Sequence, residues 1–208
     1  MRGERGRLPL SLIDAVSLIA LAGIVLFVVL PQRRVRSLLR NEDDIIQYLG
    51  DLERREEAHR AAHRTDADRD GKGEYGPLGE VLGPVRAQYD RIEGTDIWRR
   101  DGYYFTVLVP NAEKRPVSAL AQDAHPDYAE IAMLLVAWPA DPGRSGMRAY
   151  AIWPGGQLLQ HGIDGFPYSR EPPVPGAPLI QYANGAAKPA ERYDYKDWGS
   201  PAFTPGKR

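Results

Sequence analysis

The apolar stretch from Leu10 to Leu30 constrains the fold of this chain more than any other feature. Its twenty-one residues include one ionisable side chain, that of Asp14. An α-helix rises about 1.5 Å per residue and the hydrocarbon of a bilayer is about 30 Å thick, so a helix of this length can cross a membrane once. The sequence therefore predicts a single membrane-spanning helix at residues 10–31, which delivers the rest of the chain to a membrane surface.

This stretch is expected to be a retained anchor and not a cleaved signal peptide. Its apolar core exceeds the usual ~7–15 residues, and its exit, Val28 to Arg34, has no small-x-small cleavage pattern. Arginines flank both ends, so the positive-inside rule orients the helix only weakly. We expect residues 1–9 to form a basic cytoplasmic arm and the C-terminal part to be exported. The predicted location is the inner (cytoplasmic) membrane, with a single pass.

Charge is distributed unevenly along the chain. Residues 1–40 carry a net charge of +5, which leaves −6 for the remainder and −1 overall. Basic clusters on both sides of an apolar stretch suit lipid phosphates, whereas the acidic remainder argues against a nucleic-acid partner. The absence of cysteine excludes disulfides and thiolate metal sites. Membrane lipid is therefore the partner that the charge pattern favours.

The start of the apolar stretch resembles the N-terminus of type IV pilins and of the pseudopilins of type II secretion. In that family an apolar residue is followed by Thr-Leu-Ile-Glu and by an apolar run that a proline closes. Here the sequence from Leu10 reads Leu-Ser-Leu-Ile-Asp, and Pro31 lies twenty-one residues after Leu10, as in the family. Gly23 lies where such helices often carry a small residue.

The resemblance implies assembly through the N-terminal helix, with other pilin-like subunits of the same or another kind as partners. In the family, a glutamate pairs with the methylated N-terminal amine of a neighbour, which a peptidase exposes by cleavage after a glycine. This chain has Asp14 for that glutamate and Pro9 for that glycine. Without cleavage, Asp14 is expected to meet Arg7 or an arginine of a partner. The positions expected to carry anchoring and assembly are Leu10, Leu12, Ile13, Asp14, Gly23 and Pro31.

An amphipathic helix is predicted to follow at residues 32–64. Its apolar residues recur at steps of three, four and seven, which is one face of a helix. On the opposite face, Glu56 with Arg60 and Asp51 with Arg55 are spaced for exposed ion pairs. Pro31 is expected to bend or thin the helix at the membrane boundary. The apolar positions are Val35, Leu38, Leu39, Ile45, Ile46, Leu49 and Leu52.

An acidic segment follows the helix and predicts either a calcium site or a simple acidic turn. Three acids at alternate positions and a glycine resemble the first half of an EF-hand or dockerin loop, in which carboxylates converge on one cation. The twelfth position is Pro77, where an EF-hand has a bidentate glutamate, so Glu74 is the substitute. The alternative is that Asp and Gly supply only turn chemistry. The candidate Ca²⁺ ligands are Asp66, Asp68, Asp70 and Glu74.

Three runs rich in aromatic and β-branched residues predict strands in the domain at residues 65–164. They are residues 102–109, 130–138 and 147–153, with a short fourth run at 157–160. Short turns favour an antiparallel arrangement. The predicted fold class is α+β: a long transmembrane-plus-amphipathic helix packed on a small antiparallel β-sheet, as in pilins.

The tail at residues 165–208 holds eight of the eighteen prolines, so it is expected to be an extension without a regular core element. No constellation of catalytic residues is found, and no enzymatic activity is predicted. The expected function is a membrane-anchored, pilin-like structural subunit of a pilus or secretion pseudopilus. The alternative is a single-pass envelope protein that does not assemble and whose exported domain binds a ligand or calcium.

Overall fold

The computed structural model describes residues 12–155, 157–162, 180–183 and 186–189. The chain divides into two compact units, Met1–Arg40 and Asn41–Arg208, and each is described here by itself. Leu10 and the basic arm lie outside the described residues, as does most of the tail.

The first unit is helical throughout its described part. Helix α1 (Leu12–Ile24) is followed directly by a π-helical turn (Val25–Val29) and by the first residues of helix α2 (Leu30–Ala61). None of the side chains of α1 or of the π-helical turn is buried. The described part of the predicted membrane span is thus a helix covered with exposed apolar side chains.

The part of α2 that belongs to the second unit contributes one face to the core. Ile45, Leu49 and Leu52 are spaced four and three residues apart and are at most 1% exposed. Helix α2 ends at Ala61, and His63 then adopts a left-handed backbone conformation with φ 50°. The amphipathic pattern therefore predicted a real helix, but only part of its apolar face is buried, since Val35 is 49% and Leu39 44% exposed.

The second unit contains a seven-stranded sheet in which every pairing is antiparallel. The spatial order is β1-β2-β3-β5-β6-β7, and β4 pairs with β3 alongside β2. A single-turn helix and a 3₁₀ helix lie between α2 and the first strand, and a second single-turn helix lies between the fourth and fifth strands. The strands are β1 (Asp90–Arg91), β2 (Trp98–Arg100), β3 (Tyr103–Pro110), β4 (Pro116–Ser118), β5 (Leu134–Pro139), β6 (Arg148–Trp153) and β7 (Gln157–Gly162); the helices are α3 (Leu78–Val81), the 3₁₀ helix (Gly83–Gln88) and α4 (Pro126–Ala129).

Both faces of the central strands are covered. Phe105 and Val107 of β3 lie in one buried cluster with Ile45 and Leu49 of α2, whereas Leu108 belongs to a second cluster on the other face. Successive residues of a strand point to opposite faces, so burial on both sides requires a nearly continuous apolar run. The chain is therefore of the α+β class, with a long apolar N-terminal helix and a separate antiparallel sheet.

Two polar side chains at the start of the second unit bind the ends of the sheet. Asn41 Nδ2 donates to the backbone oxygens of Asp101 (3.1 Å) and Ser145 (2.5 Å). Glu42, which is 2% exposed, accepts the Met147 N–H at 2.6 Å and lies 3.3 Å from Arg148 Nη1. These bonds attach α2 to the turns that precede β3 and β6.

The observed strands differ in two places from the sequence prediction. The run predicted at residues 130–138 enters the sheet only at Leu134, because residues 126–129 form α4. The tail, for which no regular element was expected, contains strands β8 (Ile180–Ala183) and β9 (Ala186–Pro189), which pair antiparallel in a sheet of their own. This short segment contains no proline before Pro189, so its backbone N–H groups are available for a β-ladder.

Candidate functional site

The N-terminal helix has the properties of a membrane anchor. Among the described residues, one helical stretch, Leu12–Ala61, is long and apolar enough to span a bilayer by length and composition. Leu12 is 82% exposed, Ile13 76% and Phe27 82%. Apolar exposure on this scale suits lipid or other apolar helices better than water.

Two predicted assembly positions have a defined place on this helix. Asp14 lies in the first turn of α1, and Gly23 lies near its end. A Cβ atom built on Gly23 meets nothing within 4 Å. The packing described within this unit therefore does not require a glycine at position 23.

Pro31 lies at the second residue of α2, directly after the π-helical turn. A proline inside a helix has no N–H and its ring clashes with the carbonyl four residues before it, here that of Phe27. The Leu30 N–H bonds to the carbonyl of Val25, five residues back, which is the π-helical pattern. The wider turn accommodates the proline while the helix continues.

The acidic loop, defined here as Asp66–Glu74, is closed at its base and ordered by its own side chains. The Glu74 N–H donates to the Thr65 carbonyl at 3.0 Å. Within the loop, Asp68 Oδ1 accepts the Asp70 N–H and Asp66 Oδ2 accepts the Gly71 N–H. Arg69 and Gly71 both have positive φ, 63° and 85°. These turns bring alternate acids to the same side of the loop.

Two groups of carboxylates converge at this loop. Asp66, Asp68 and Glu74 have ligand oxygens within 4.8 Å of one another, and Asp68 forms a second group of the same tightness with Asp127 and Glu130 of the α4 region. Oδ1 of Asp66 and Oε1 of Glu130 are buried and accept no hydrogen bond from the described residues. Buried anionic oxygens without a donor are costly, and a hard cation would satisfy them.

The remaining predicted ligand, Asp70, lies outside both groups. It forms an ion pair with Lys72, whose Nζ is also 3.2 Å from Glu130 Oε2. The hydrogen bond from Lys72 lowers the pKa of Asp70, while burial, with Asp68, Asp66 and Glu130 nearby, raises the pKa of Glu74. The positive charge of Lys72 thus offsets the repulsion between the carboxylates of Asp70 and Glu130.

Behind the loop, α2 carries two buried polar side chains, one of which, Glu56, was predicted to form an exposed ion pair. Glu56 is fully buried and makes no ion pair with Arg60, which pairs instead with Glu57 at 2.9 Å. His59 is 4% exposed. Similarly, Asp51 pairs with Arg54 and not with the predicted Arg55. The helix is buried over a wider arc than its apolar residues indicate, because the acidic loop and α3 cover its end.

No protein-family model, curated protein or solved structure matches this chain.

Proposed function

We propose that this protein is a membrane-anchored, pilin-like structural subunit that assembles through its N-terminal helix. The observation that carries the proposal is the apolar surface of α1 and the π-helical turn, none of whose described side chains is buried, followed without interruption by α2. In this proposal the helix spans the inner membrane with the N-terminus in the cytoplasm. The folded domain is exported, and the protein catalyses no reaction.

The helix has the two features that association within lipid requires. A small residue lets two helix backbones approach closely, and Gly23 supplies one that the described packing of its own unit does not require. A polar side chain inside an apolar segment sets the register between helices, because misalignment leaves it facing hydrocarbon. Asp14 has this role, with an amine or arginine of a neighbouring subunit as its partner.

Cysteine cross-linking tests the helix contact directly, since the chain contains no cysteine of its own. Ile19→Cys and Gly23→Cys place the thiol on one helix face, and Leu21→Cys is the matched control on the opposite face. In membranes of the native host, oxidation should cross-link the first two variants to a second copy or another subunit, and the control much less. Equal cross-linking of all three, or none, would contradict assembly through this face.

The N-terminal residue of the mature protein separates the two routes to assembly. Mass spectrometry of protein from the native host should find a new, methylated N-terminus at Leu10 if a prepilin peptidase processes the chain. An intact Met1 would mean that Asp14 meets an arginine instead of a free amine, and with negative cross-linking would favour an anchored protein that does not assemble.

Calcium binding at the acidic loop is the second candidate function. It is favoured by the two convergent carboxylate groups and by the buried oxygens of Asp66 and Glu130 that accept no hydrogen bond from the described residues. Asp68 belongs to both groups, so it is the position at which one substitution affects either site. In the second group, Asp68 of the loop would share one cation with Asp127 and Glu130 of the α4 region.

A thermal shift measured on the full chain tests this candidate. Calcium should raise the melting temperature, because a ligand at ~100 times its Kd stabilises the folded state by about 2.7 kcal/mol. The shift should disappear in Asp68→Ala and persist in the control Asp44→Ala, which removes an exposed acid from α2. If millimolar calcium causes no shift in the wild-type chain, the loop is an acidic turn and not a calcium site.

A further inference from the structure

Two ionisable side chains of α2 lie in the protein interior beneath the acidic loop. Glu56 and His59 are three residues apart and share one helix face; Glu56 is 0% exposed and His59 is 4% exposed. Oε1 of Glu56 and Nδ1 of His59 are buried and have no hydrogen-bond partner among the described residues. Buried polar atoms of this kind are rare and require an explanation.

The other polar atom of each side chain holds one end of the acidic loop. Glu56 Oε2 accepts the N–H of Gly76, just after the loop, at 3.3 Å. His59 Nε2 lies 2.8 Å from the hydroxyl oxygen of Thr65, just before the loop. The fit is tight, because a Cβ atom on Gly76 would lie 2.7 Å from His59 Nε2. Two neighbouring side chains of α2 thus hold both ends of one loop.

The hydrogen bonds define the protonation state of the closed arrangement. The Thr65 hydroxyl donates to Glu80 Oε2 at 3.4 Å, so its oxygen accepts from the N–H at Nε2 of His59, and Nδ1 is left as a bare acceptor. Burial lowers the pKa of His59 and raises the pKa of Glu56 well above its ordinary value. Burial therefore favours the neutral form of both side chains while the loop is seated.

The charged groups around the pair come from four parts of the structure. Asp96, which precedes β2, Glu80 of α3 and Glu57 of α2 all raise the pKa of Glu56 and oppose its ionisation. Glu80 favours a charged His59, while Arg64 of the turn after α2 disfavours it. Burial and the three nearby acids therefore all oppose the ionisation of Glu56.

We propose that Glu56 and His59 form a proton-operated latch that holds the acidic loop against α2 and releases it when either side chain becomes charged. Release exposes the charged group to water, where burial no longer opposes its ionisation. The latch requires neither assembly of the subunits nor a bound cation, so its test is independent of the proposed function.

The two side chains respond to pH in opposite directions. Released Glu56 titrates near 4.5 and seated Glu56 at a higher pH, so between these values each rise in pH favours release. Released His59 titrates near 6.5 and seated His59 at a lower pH, so below about 6.5 each fall in pH favours release. The two effects oppose each other below about 6.5, down to the pH at which seated His59 becomes charged. Above about 6.5 only Glu56 acts, and the loop opens with rising pH.

Hydrogen–deuterium exchange of the full chain in detergent micelles measures this opening. The opening constant of residues 65–76 follows from their exchange rates after correction for the intrinsic pH dependence of amide exchange. It should vary less below about pH 6.5, where the two effects oppose each other, than above it, where it should rise by up to ~tenfold per pH unit until seated Glu56 ionises. Peptides from β5 and β6 report global unfolding and should not follow this profile.

Two substitutions separate the effects of Glu56 and His59 on the pH dependence of opening. Glu56→Gln retains an oxygen that can accept from Gly76 and should abolish opening at high pH, which leaves a rise below about pH 6.5 due to His59. His59→Gln should leave only the effect of Glu56, so that the opening constant rises from about pH 4.5 upward. The controls, Asp44→Asn and His63→Gln, change exposed groups of the same helix and of the turn after it and should follow the wild-type profile.

The wild-type profile tests the latch even if a variant fails to fold. A wild-type opening constant that is independent of pH from 6.5 to 9 would overturn the proposal. So would a Glu56→Gln profile identical to that of the wild type, or loop exchange that rises in parallel with exchange in β5 and β6.

Discussion

Gly146 lies where the structure leaves no room for a side chain. A Cβ atom there would be 1.7 Å from the hydroxyl oxygen of Tyr103, a fully buried residue that donates to the Arg148 carbonyl at 3.0 Å. Gly146→Ala should therefore lower the free energy of unfolding of the domain by about 1–3 kcal/mol, the usual cost of overpacking. Denaturant unfolding of the full chain in micelles, followed by tryptophan fluorescence, measures this change.

The matched control, Gly50→Ala, should change stability in the opposite direction. Gly50 lies inside α2, and an added Cβ meets nothing within 4 Å. Alanine in a helix interior is about 0.5–1 kcal/mol better than glycine, so this variant should be more stable than the wild type. If both variants shift stability in the same direction, the contact at Tyr103 is not what requires glycine at position 146.

Sequence reasoning at the residue scale succeeded where chemistry is local and failed where burial depends on distant segments. The acids of the loop stand close together in the sequence, so the convergence of Asp66, Asp68 and Glu74 could be anticipated, although Asp70 lies outside that group. Asp127 and Glu130 are distant from the loop in the sequence, and they lie beside it only because the fold of the chain through β3 and β4 brings them there. Glu56 was assigned to the exposed helix face, because nothing in the local sequence indicates that the loop covers it and the neighbouring His59.

At the scale of elements, Pro31 and the π-helical turn form one unit. Pro31→Ala supplies the missing amide and removes the ring clash, and proline costs about 3 kcal/mol relative to alanine in a helix interior. We therefore expect residues 25–31 to convert to regular α-helix and their amides to exchange more slowly. NMR chemical shifts and amide exchange of the full chain in micelles measure both. Leu30→Ala, which keeps the proline, should retain the π-helical pattern; its loss in that control would contradict the assignment to Pro31.

The strands divide in the same way into those that the sequence predicts and those that it does not. Strands β3, β5 and β6 are apolar runs because both faces are covered, and such runs are recognisable. Strands β1, β2 and β4 have only two or three residues each and no alternating pattern, so they form only because a longer neighbour pairs with them. Hairpin β8–β9 has the Asn184-Gly185 dipeptide between its strands, a strong turn signal that the proline content of the tail obscured.

At the scale of the whole molecule, the apolar helix should determine where the protein is found. The wild-type chain should stay with the membrane fraction after carbonate extraction. Each arginine at the centre of a span costs about 2.5–3.5 kcal/mol, so Leu21→Arg combined with Val25→Arg should shift the protein to the soluble or aggregated fraction. Leu120→Arg, which charges an exposed leucine of the folded domain, should leave the protein in the membrane. A double variant that remains fully membrane-bound would contradict the anchor.

The bonds of Asn41 and Glu42 decide how the domain would bear a mechanical load. Force that enters along α2 reaches these two side chains, which bind the backbone at Asp101, Ser145 and Met147, just before strands β3 and β6. Tension then spreads into the longest ladders of the sheet, while the acidic loop at the far end of the helix is spared. Resistance to pulling depends on the rate of unfolding, and this attachment would let the domain keep its acidic loop in place under tension.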